Sequence, residues 1–424
     1  MTRPSLTFIV PAHNEEEGLP ATLESLLQQT EPADEIIVVN DGSTDRTREV
    51  AERYGVTVLD APGTGSKAGA QNYALPYCTT DLVLPVDADT VLADDYAALI
   101  RKPFADPNVA IAAGCVMTRF TNTVWERGRQ IEYLFGFHWF RPVQQAYGSP
   151  VVCSGCCSAF RLDTLREFGG FPERTIVEDI DYSWSQQIAG HGAVYVADAV
   201  AYAAEPINAK FMKKQLWRWK SGYFQNVRQH ARNLLARKRW LALWVGLSVA
   251  EIVLSPLMLT LPVWWATHGH GPISVAAWWL GGEALTLAPA LAYATFKRKI
   301  NPLRVLACYP SFYVLKFFNA YYDWKALINE LVLVPLGLSR GLHVYEKGRA
   351  DTPTQRRRHA GAHRGLLARK QEPTAAPTFT DQDTVRIPRP SLPMDDTLRI
   401  PVVKLYDPDT ETTLQFARPP AKAL

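Results

Sequence analysis

Two long apolar stretches in the middle of the chain constrain its fold more than any other feature. The segments 240–266 and 273–296 are each long enough to cross the hydrocarbon core of a bilayer, which is about 30 Å thick. Lys and Arg clusters precede the first stretch and follow the second, whereas the connection 267–271 contains neither residue type. By the positive-inside rule, the two stretches are predicted to form a membrane hairpin with both ends in the cytosol.

An acidic residue interrupts each stretch, Glu251 in the first and Glu283 in the second. Ionisable residues inside a membrane face the interior of a helix bundle, so each Glu is either a functional carboxylate or one half of a buried pair. The mean hydropathy of the whole chain, −0.11, conceals these stretches because it averages them with polar segments. A net charge of +3 gives no reason to expect a nucleic-acid partner.

The chain after the hairpin is less regular. Charged and amide side chains interrupt the next apolar stretch, 303–338, which predicts either a spanning helix with an interfacial helix or a tight pair of spans. Basic residues follow it and favour a cytosolic end, hence an even number of crossings. Residues 341–424 are predicted to form a disordered cytosolic tail, because the sequence beyond about Asp351 is rich in Pro, Thr, Ala and charge.

The first third of the chain alternates short Val- and Ile-rich runs with helix-compatible spacing. Strands are predicted at 6–11, 35–40, 56–59 and 81–86, and helices at 17–29, 45–54 and 67–75, with Ser43, Thr44 or Asp45 as the N-cap of the second helix. This rhythm predicts an α/β domain whose parallel sheet is covered on both faces. No charged and apolar leader precedes the first strand, so we expect the N-terminus to stay in the cytosol.

Polar residues follow the predicted strands, at the edge where open parallel sheets bind ligands. Asp87 and Asp89 come directly after the fourth strand, and two carboxylates two residues apart on extended backbone lie on the same side. Such hard oxygen ligands suit Mg²⁺ or Mn²⁺ bridging a diphosphate. A solvated turn is the alternative explanation of an isolated D-x-D, and the position after a strand favours the metal.

Three further groups are candidates for binding or chemistry. Asp41 can accept hydrogen bonds from a nucleotide, although a helix-capping loop explains 43–45 equally well. Lys67 supplies a cation at the start of a helix, and without Walker spacing the phosphates would be held by metal and separate basic groups. Glu178 and Asp179 could supply a carboxylate that deprotonates an acceptor hydroxyl, or simply complement the charge of a helix N-terminus.

The cysteines do not indicate a disulfide scaffold. The chain has six, unevenly spaced, and we expect them to be reduced thiols. Cys153 and Cys156 form a C-x-x-C, but no second C-x-x-C and no paired His accompany it, which disfavours structural zinc. The chain also lacks the G-x-S-x-G pattern of a serine nucleophile.

A basic segment rich in aromatic residues precedes the hairpin. Residues 210–239 combine apolar and aromatic side chains with Lys and Arg, which predicts an amphipathic helix lying on a membrane surface and facing anionic headgroups. An ordinary basic surface helix is the alternative.

Six motifs, taken in chain order, resemble the signatures of inverting family 2 glycosyltransferases of the GT-A fold. They are Pro11-Ala12-His13-Asn14-Glu15, Val39-Asn40-Asp41-Gly42-Ser43, Asp87-Ala88-Asp89, Ser154-Gly155 with Phe160-Arg161, Glu178-Asp179 and Gln215-Leu216-Trp217-Arg218-Trp219. The last, a Q-x-x-R-W, resembles the mark of membrane-embedded processive synthases of cellulose, hyaluronan, chitin and poly-N-acetylglucosamine. The resemblance covers roughly residues 4 to 340.

The resemblance implies a role for each matching residue. Asp179 would be the catalytic base, Asp89 the ligand of Mg²⁺ or Mn²⁺, and Asp87 a neighbour of the sugar diphosphate. The nucleotide side would be formed by Pro11, Asn14, Glu15, Asp41, Lys67 and Asn72. Gln215, Arg218 and Trp219 would hold the diphosphate and the acceptor end, with Ser154, Gly155 and Glu178 also on the acceptor side. The reaction implied is transfer from a UDP-sugar to a growing β-linked polysaccharide with inversion.

The sequence departs from the family pattern in two places. We expect no transmembrane helix before the catalytic domain, and Ser154-Gly155-Cys156-Cys157 stands where a Gly- and Ala-rich acceptor segment is expected. A short membrane region could still line a channel together with a second protomer or another membrane partner.

The organisation that follows has four parts. We expect a GT-A domain at 1–209, an interface helix at 210–239, transmembrane and interfacial helices at 240–340 and the tail at 341–424. The protein is then expected to be integral to the plasma membrane, with its catalytic domain and tail cytosolic and with lipids and a glycan or lipid-linked acceptor as partners. Single-sugar transfer to a lipid or protein, and a non-catalytic membrane scaffold, are the competing interpretations.

Overall fold

The computed structural model describes residues 3–342 of the chain, so most of the predicted tail lies outside the described residues. The strands are β1 Leu6–Ala12, β2 Glu35–Asp41, β3 Thr57–Ala61, β4 Leu82–Pro85, β5 Val91–Leu92, β6 Val109–Thr118, β7 Ser158–Arg161 and β8 Gly192–Ala203. The helices are α1 Leu19–Leu27, α2 Thr47–Arg53, α3 Lys67–Ala74, α4 Tyr96–Arg101, α5 Val124–Phe135, α6 Arg141–Ala146, α7 Leu162–Phe168, α8 Glu178–Ala189, α9 Ala209–Arg237, α10 Arg239–Thr267, α11 Pro272–Lys297 and α12 Pro302–Ile328.

The eight strands form a mixed, mostly parallel sheet in the order β3-β2-β1-β4-β7-β6-β8-β5. Strand β1 lies inside the parallel half, where Phe8 pairs with Ile36 of β2 on one side and with Leu84 of β4 on the other. Phe8 and Val10 belong to one core cluster and Ile9 to another, because successive side chains of a strand point to opposite faces. Both faces are therefore covered, which explains the continuous apolar sequence of β1.

All four predicted strands and all three predicted helices of the first third are present, with small differences at their ends. The prediction of the N-cap of α2 was wrong, since Arg46 occupies that position without a side-chain cap. The Asp45 carboxylate instead accepts hydrogen bonds from the backbone N–H of Thr47 at 3.0 Å and of Glu16 at 3.1 Å. Asp45 thus joins the loop after β2 to the loop after β1.

The C-terminal half consists of long helices. Among the described residues, α10 is long and apolar enough to cross a membrane, and α11 meets the same test only if its halves, bent by 44°, count as one span. The stretch predicted as either a helix with an interfacial segment or a pair of spans forms one helix, α12, followed by the π-helical turn Asn329–Leu333. This excludes the tight pair of spans. The predicted number of crossings stays a prediction.

Helix α9 confirms the predicted long helix of the basic segment. One of its faces is buried within the protein and includes Met212, Leu216, Phe224 and Leu234. Lys210 and Lys213 are exposed on the remaining surface. The predicted contact of this helix with a membrane surface stays a prediction.

A glycine lets α5 approach α12 closely. A β-carbon on Gly128 would lie 2.7 Å from the carbonyl oxygen of Ser311 and 2.9 Å from the β-carbon of Leu315. Beside this contact, the ring of Trp125 packs edge-on against Phe318, with centroids 4.7 Å apart. The contact between α5 and α12 therefore depends on the absence of a side chain at position 128.

We expect Gly128→Ala to lower the free energy of unfolding by about 1–3 kcal/mol, because the added methyl group forces the two helices apart. The midpoint of thermal unfolding of the protein purified in detergent measures this loss. Gly136→Ala is the matched control, since no atom lies within 4 Å of the added carbon. Equal midpoints for the two variants would contradict the close helix contact.

Candidate active site

The loops after β1 and β2 form one rim of the site. Asn14 adopts a left-handed conformation with φ of 54°, and its side-chain oxygen accepts a hydrogen bond from the Thr44 backbone N–H at 2.8 Å. The backbone N–H of Glu15 donates to the hydroxyl of Thr47 at 2.7 Å. Pro11, one residue before the end of β1, pairs with Val39 of β2. These contacts fix the rim, while the predicted nucleotide contacts of Pro11, Asn14 and Glu15 stay predictions.

The Asp41 carboxylate holds the loop between β3 and α3. It accepts hydrogen bonds from the backbone N–H of Thr64 at 2.6 Å and from the Thr64 hydroxyl at 3.0 Å. Gly42 directly after it has φ of +66°, a conformation that favours glycine, so the chain can turn sharply at this point. Sequence reasoning missed Thr64, although its position between Gly63 and Gly65 is typical of a tight loop.

Lys67 lies at the centre of the acidic residues. Its ammonium nitrogen is 2.5 Å from Oδ1 of Asp87 and 4.0 Å from Oε1 of Glu178. It also donates a hydrogen bond to the carbonyl oxygen of Gly155 at 3.1 Å. The structure thus brings together Lys67, Asp87, Gly155 and Glu178, which lie far apart in the sequence.

Asp179 is held beside this centre by two backbone N–H groups. Gly155 donates to its Oδ2 at 2.7 Å and Ile180 donates to its Oδ1 at 2.8 Å. A β-carbon on Gly155 would lie 3.2 Å from both the β-carbon and Oδ2 of Asp179, so the carboxylate sits directly against the bare backbone. The small residue at position 155 is what permits this approach.

Both acids at the start of α8 are harder to ionise than in water. Burial raises the pKa of Glu178 to about 7, although the Lys67 ammonium opposes the shift. Burial likewise raises the pKa of Asp179 above its ordinary value, while Lys67 and the N–H of Gly155 oppose it. Burial therefore makes both carboxylates stronger bases than they are in water, as a proton-accepting group requires.

Asp89 lies close to the start of α1. A β-carbon on Gly18 would meet the Ala88 carbonyl oxygen at 3.4 Å and the Asp89 β-carbon at 3.7 Å. Among residues 3–342, no group of three or more His, Cys, Asp or Glu side chains is arranged to hold a metal ion. The hard oxygens of Asp87 and Asp89 match the preference of Mg²⁺ and Mn²⁺, which commonly take one or two carboxylates and complete their coordination with phosphate oxygens and water.

The Q-x-x-R-W motif occupies the first turns of α9. Arg218 lowers the pKa of Glu178, after the stronger effects of burial, Lys67 and Asp179, so its charge acts on the acidic centre. The Gln215 amide accepts from Arg129 at 2.9 Å and donates to Glu205 at 3.4 Å. The predicted contacts of Gln215, Arg218 and Trp219 with a diphosphate or acceptor stay predictions.

Two of the predicted site residues, Asn72 and Ser154, form hydrogen bonds within neighbouring loops. Asn72 donates to the Phe171 carbonyl oxygen at 2.9 Å and accepts from the Phe171 N–H at 2.7 Å, so its amide fixes the loop after α7. The Ser154 carbonyl oxygen accepts from the Cys157 N–H at 3.1 Å and from the Ser158 hydroxyl at 2.8 Å. The predicted contacts of Asn72 with the nucleotide and of Ser154 with the acceptor stay predictions.

All six cysteines are free thiols, as expected. Burial raises the pKa of Cys153 to about 11, so this thiol is protonated at neutral pH. Cys153 and Cys157 are buried and belong to the apolar core clusters on the two faces of the sheet. They contribute to packing at the sheet.

A polar cavity of about 280 Å³ opens beside Lys67. Its walls are the loop before α3, the segment leading into α8, and Leu342; the lining residues are Thr64, Gly65, Ser66, Lys67, Ala68, Glu173, Arg174, Thr175, Ile176, Glu178 and Leu342. Gln225 of α9 donates a hydrogen bond to the Leu342 carbonyl oxygen at 2.8 Å, which holds that wall in place. The cavity therefore connects the acidic centre with the chain that follows α12.

A buried ion pair anchors α8 behind the acids. Asp181 accepts hydrogen bonds from Nε and Nη2 of Arg174 at 2.8 and 2.6 Å, and its Oδ1 lies 2.8 Å from Nε2 of His230. Burial opposes the ionisation of Asp181, but Arg174 and His230 outweigh it and lower the pKa to about 2. Through its contact with His230, Asp181 links α8 to α9 at a point two residues after Asp179.

We expect Asp181→Asn to lower the free energy of unfolding by about 2–4 kcal/mol at pH 7, because it leaves Arg174 and His230 without their anionic partner. The native pKa of about 2 lies below the ordinary 3.8, so ionised Asp181 stabilises the fold above pH 4 by about 2 kcal/mol. This contribution is lost as the pH falls through 2.

Thermal unfolding of the two proteins between pH 2 and pH 7 measures the difference, which should shrink as the pH falls. Asp163→Asn, an exposed acid in the first turn of α7, is the control and should lower the midpoint much less, because an exposed charge at a helix end contributes about 1 kcal/mol or less. A loss in Asp181→Asn that does not change with pH would contradict the ion pair.

Comparisons with known proteins agree with this architecture. Residues 7–169, from β1 to the end of α7, match the family model described as Glycosyl transferase family 2. Poly-β-1,6-N-acetyl-D-glucosamine synthase of Staphylococcus epidermidis is 27% identical over 222 residues, which cover 51% of this chain and 54% of the relative. An uncharacterized glycosyltransferase of Escherichia coli K12, YaiP, is 31% identical over 249 residues, covering 54% of this chain and 59% of the relative.

The chain thus spans little more than half the length of the curated relatives it matches. Among solved structures, mannosyltransferase PcManGT from Pyrobaculum calidifontis, in complex with GDP-Man and Mn²⁺, superposes with a TM-score of 0.56 at 23% identity, covering 78% of this chain and 88% of that one. This likeness shows the fold. Residues 7–169 thus match glycosyltransferase family 2, with the GT-A fold, and the chain is distantly related to the poly-β-1,6-N-acetyl-D-glucosamine synthases.

Proposed function

We propose that the protein is an inverting glycosyltransferase that transfers a sugar from a UDP-sugar to a growing β-linked polysaccharide at the cytosolic face of the plasma membrane. The observation that carries the proposal is the convergence of Lys67, Asp87 and Asp179 around the backbone of Gly155, beside the polar cavity. The relatedness to poly-β-1,6-N-acetyl-D-glucosamine synthases supports a polysaccharide product. The length and composition of α10 support a membrane location.

Asp179 acts as the base in this proposal. It takes the proton of an acceptor hydroxyl, whose oxygen attacks the anomeric carbon as the bond to the diphosphate oxygen breaks and UDP leaves. The attack occurs opposite the leaving group, so an α-linked donor gives a β-linked product. Burial makes Asp179 more basic, while the N–H groups of Gly155 and Ile180 fix its direction.

The negative charge that grows on the leaving diphosphate requires nearby cations. Two basic residues can supply this charge: Lys67 pairs with Asp87, and Arg218 acts electrostatically on Glu178. Mg²⁺ or Mn²⁺ would be held by Asp89 with Asp87 beside it, and would supply charge neutralisation at the diphosphate when bound. The Mn²⁺ and GDP-Man in the PcManGT structure support a nucleotide-sugar donor and a divalent metal.

Incubating the purified protein with a panel of UDP-sugars, with Mn²⁺, Mg²⁺ or a chelator, tests the proposal through UDP release and product length. We expect metal-dependent release, and Asp179→Asn should reduce turnover by about 10²–10⁴-fold while leaving UDP binding intact. Asp95→Asn, an exposed acid at the start of α4, is the control. Unaltered turnover in Asp179→Asn would refute the base, and a product that stops at one sugar would refute polymer synthesis.

Gly155→Ala tests the fit between the base and the backbone. The added methyl group pushes the Asp179 carboxylate out of its position, and a shift of about 1 Å can reduce turnover by about 100-fold. We expect kcat to fall about tenfold to hundredfold, with the KM of the donor changing much less. Gly246→Ala in α10, where no atom lies within 4 Å of the added carbon, is the control. A normal kcat in Gly155→Ala would show that the base does not depend on this contact.

A further inference from the structure

We propose that Arg129 of α5 is a positioning residue for the transfer, which sets the orientation of the Trp219 indole and of the first turns of α9. The inference rests on the proposed function, because Trp219 is expected to meet the acceptor end. Arg129 is only 1% exposed and lies outside the motifs that resemble the family signatures. Its effect on the reaction would pass through the residues that it contacts.

One guanidinium group contacts two members of the Q-x-x-R-W motif. Its Nη2 donates a hydrogen bond to Oε1 of Gln215 at 2.9 Å, and its central carbon lies 5.0 Å from the centroid of the Trp219 ring. Gln215 and Trp219 are four residues apart, so they project from the same face of the helix. Arg129 thereby binds α9 through a directed hydrogen bond and through a cation–π contact with the indole.

Two carboxylates fix the guanidinium in this position. Nη1 is 2.6 Å from Oε2 of Glu132 on the same helix, and Nε is 3.4 Å from Oε2 of Glu205, which follows β8. Glu205 is 4% exposed and also accepts a hydrogen bond from the hydroxyl of Tyr133 at 2.7 Å. With its charge balanced from two sides, the guanidinium plane is held against the indole.

The arrangement requires arginine. A guanidinium is flat and presents several N–H donors in a fixed fork, so it can lie over an aromatic ring while its N–H groups bind Gln215 and the carboxylates. A lysine ammonium keeps the charge opposite Glu205 but cannot make these contacts together. Arg129→Lys therefore removes the contacts that orient the Trp219 indole but keeps a positive charge opposite the buried Glu205 carboxylate.

The test compares Arg129→Lys with Arg127→Lys, the same substitution at an exposed position of α5. We expect Arg129→Lys, while still folded at the assay temperature, to lower kcat about tenfold with an unchanged dissociation constant for UDP, and Arg127→Lys to behave as wild type. In a Trp219→Leu background, Arg129→Lys should reduce the residual kcat less than twofold, because contacting residues are not additive. An undiminished kcat, or the same tenfold loss without Trp219, would overturn the proposal.

A second measurement needs no turnover. In protein labelled with 5-fluorotryptophan, the ¹⁹F resonance of Trp219 is identified by its absence from Trp219→Leu. It should shift in Arg129→Lys and stay in place in Arg127→Lys; an unmoved resonance in Arg129→Lys contradicts the proposal. A wild-type protein that releases no UDP from any donor would refute the proposed function, while the resonance would still decide whether Arg129 orients the indole.

If Arg129→Lys unfolds, the double variant Arg129→Met with Glu205→Gln removes the cation and its buried partner together. It should show the same loss of kcat and the same shift of the Trp219 resonance. Wild-type values of both in this folded variant would overturn the proposal.

Discussion

The attraction between the Lys67 ammonium and the surrounding oxygen atoms is the interaction on which the rest of the site depends. Asp87 and Glu178 come from different parts of the chain and would repel each other as anions. Lys67 lies within ion-pair distance of both and also binds the carbonyl oxygen of Gly155. The position of Gly155 in turn fixes Asp179. One cation thus connects the end of β4, the segment before β7 and the start of α8.

Helix α9 extends this arrangement to the apolar helices. It contacts α8 through His230 and Asp181, and α12 through Lys220, whose ammonium lies 2.9 Å from Oδ1 of Asp323. Gly222 allows the helix to lie against the segment before α8, since a β-carbon there would overlap the side chain of Val177. Helix α9 is thus in direct contact both with the segment that carries Glu178 and Asp179 and with the apolar helix α12.

The sequence predicts the parallel half of the fold well because its strands are buried on both faces. Strand β1 and its neighbours appear as uninterrupted Val- and Ile-rich runs, and polar residues mark their carboxyl ends. The acids of the site could be predicted for the same reason, and Asp179 by its resemblance to a family motif. The approach of α8 to Gly155, which makes Asp179 buried and hydrogen-bonded, depends on tertiary packing that no local pattern specifies.

Other features could not be predicted because they depend on long-range partners. Asn72 has a polar amide side chain of the kind that often binds ligands. In the structure, however, this amide is hydrogen-bonded to the backbone of Phe171, about a hundred residues away in the sequence. Arg129 belongs to none of the sequence motifs, and its contacts with Glu205 and with Trp219 of α9 join residues more than 70 positions apart. Sequence patterns predict structure best where the contacting residues are close together in the chain, and least well where distant segments meet.

The contact between Gly155 and Asp179 has a consequence for the way this site can change during evolution. A side chain at position 155 would lie within 3.2 Å of the carboxylate at position 179, so a larger residue at 155 moves that carboxylate. We therefore expect a relative with a larger residue at 155 to have either a rearranged start of α8 or a smaller residue at 179. The pair of residues at these two positions is then a better indicator of this local geometry than either residue alone.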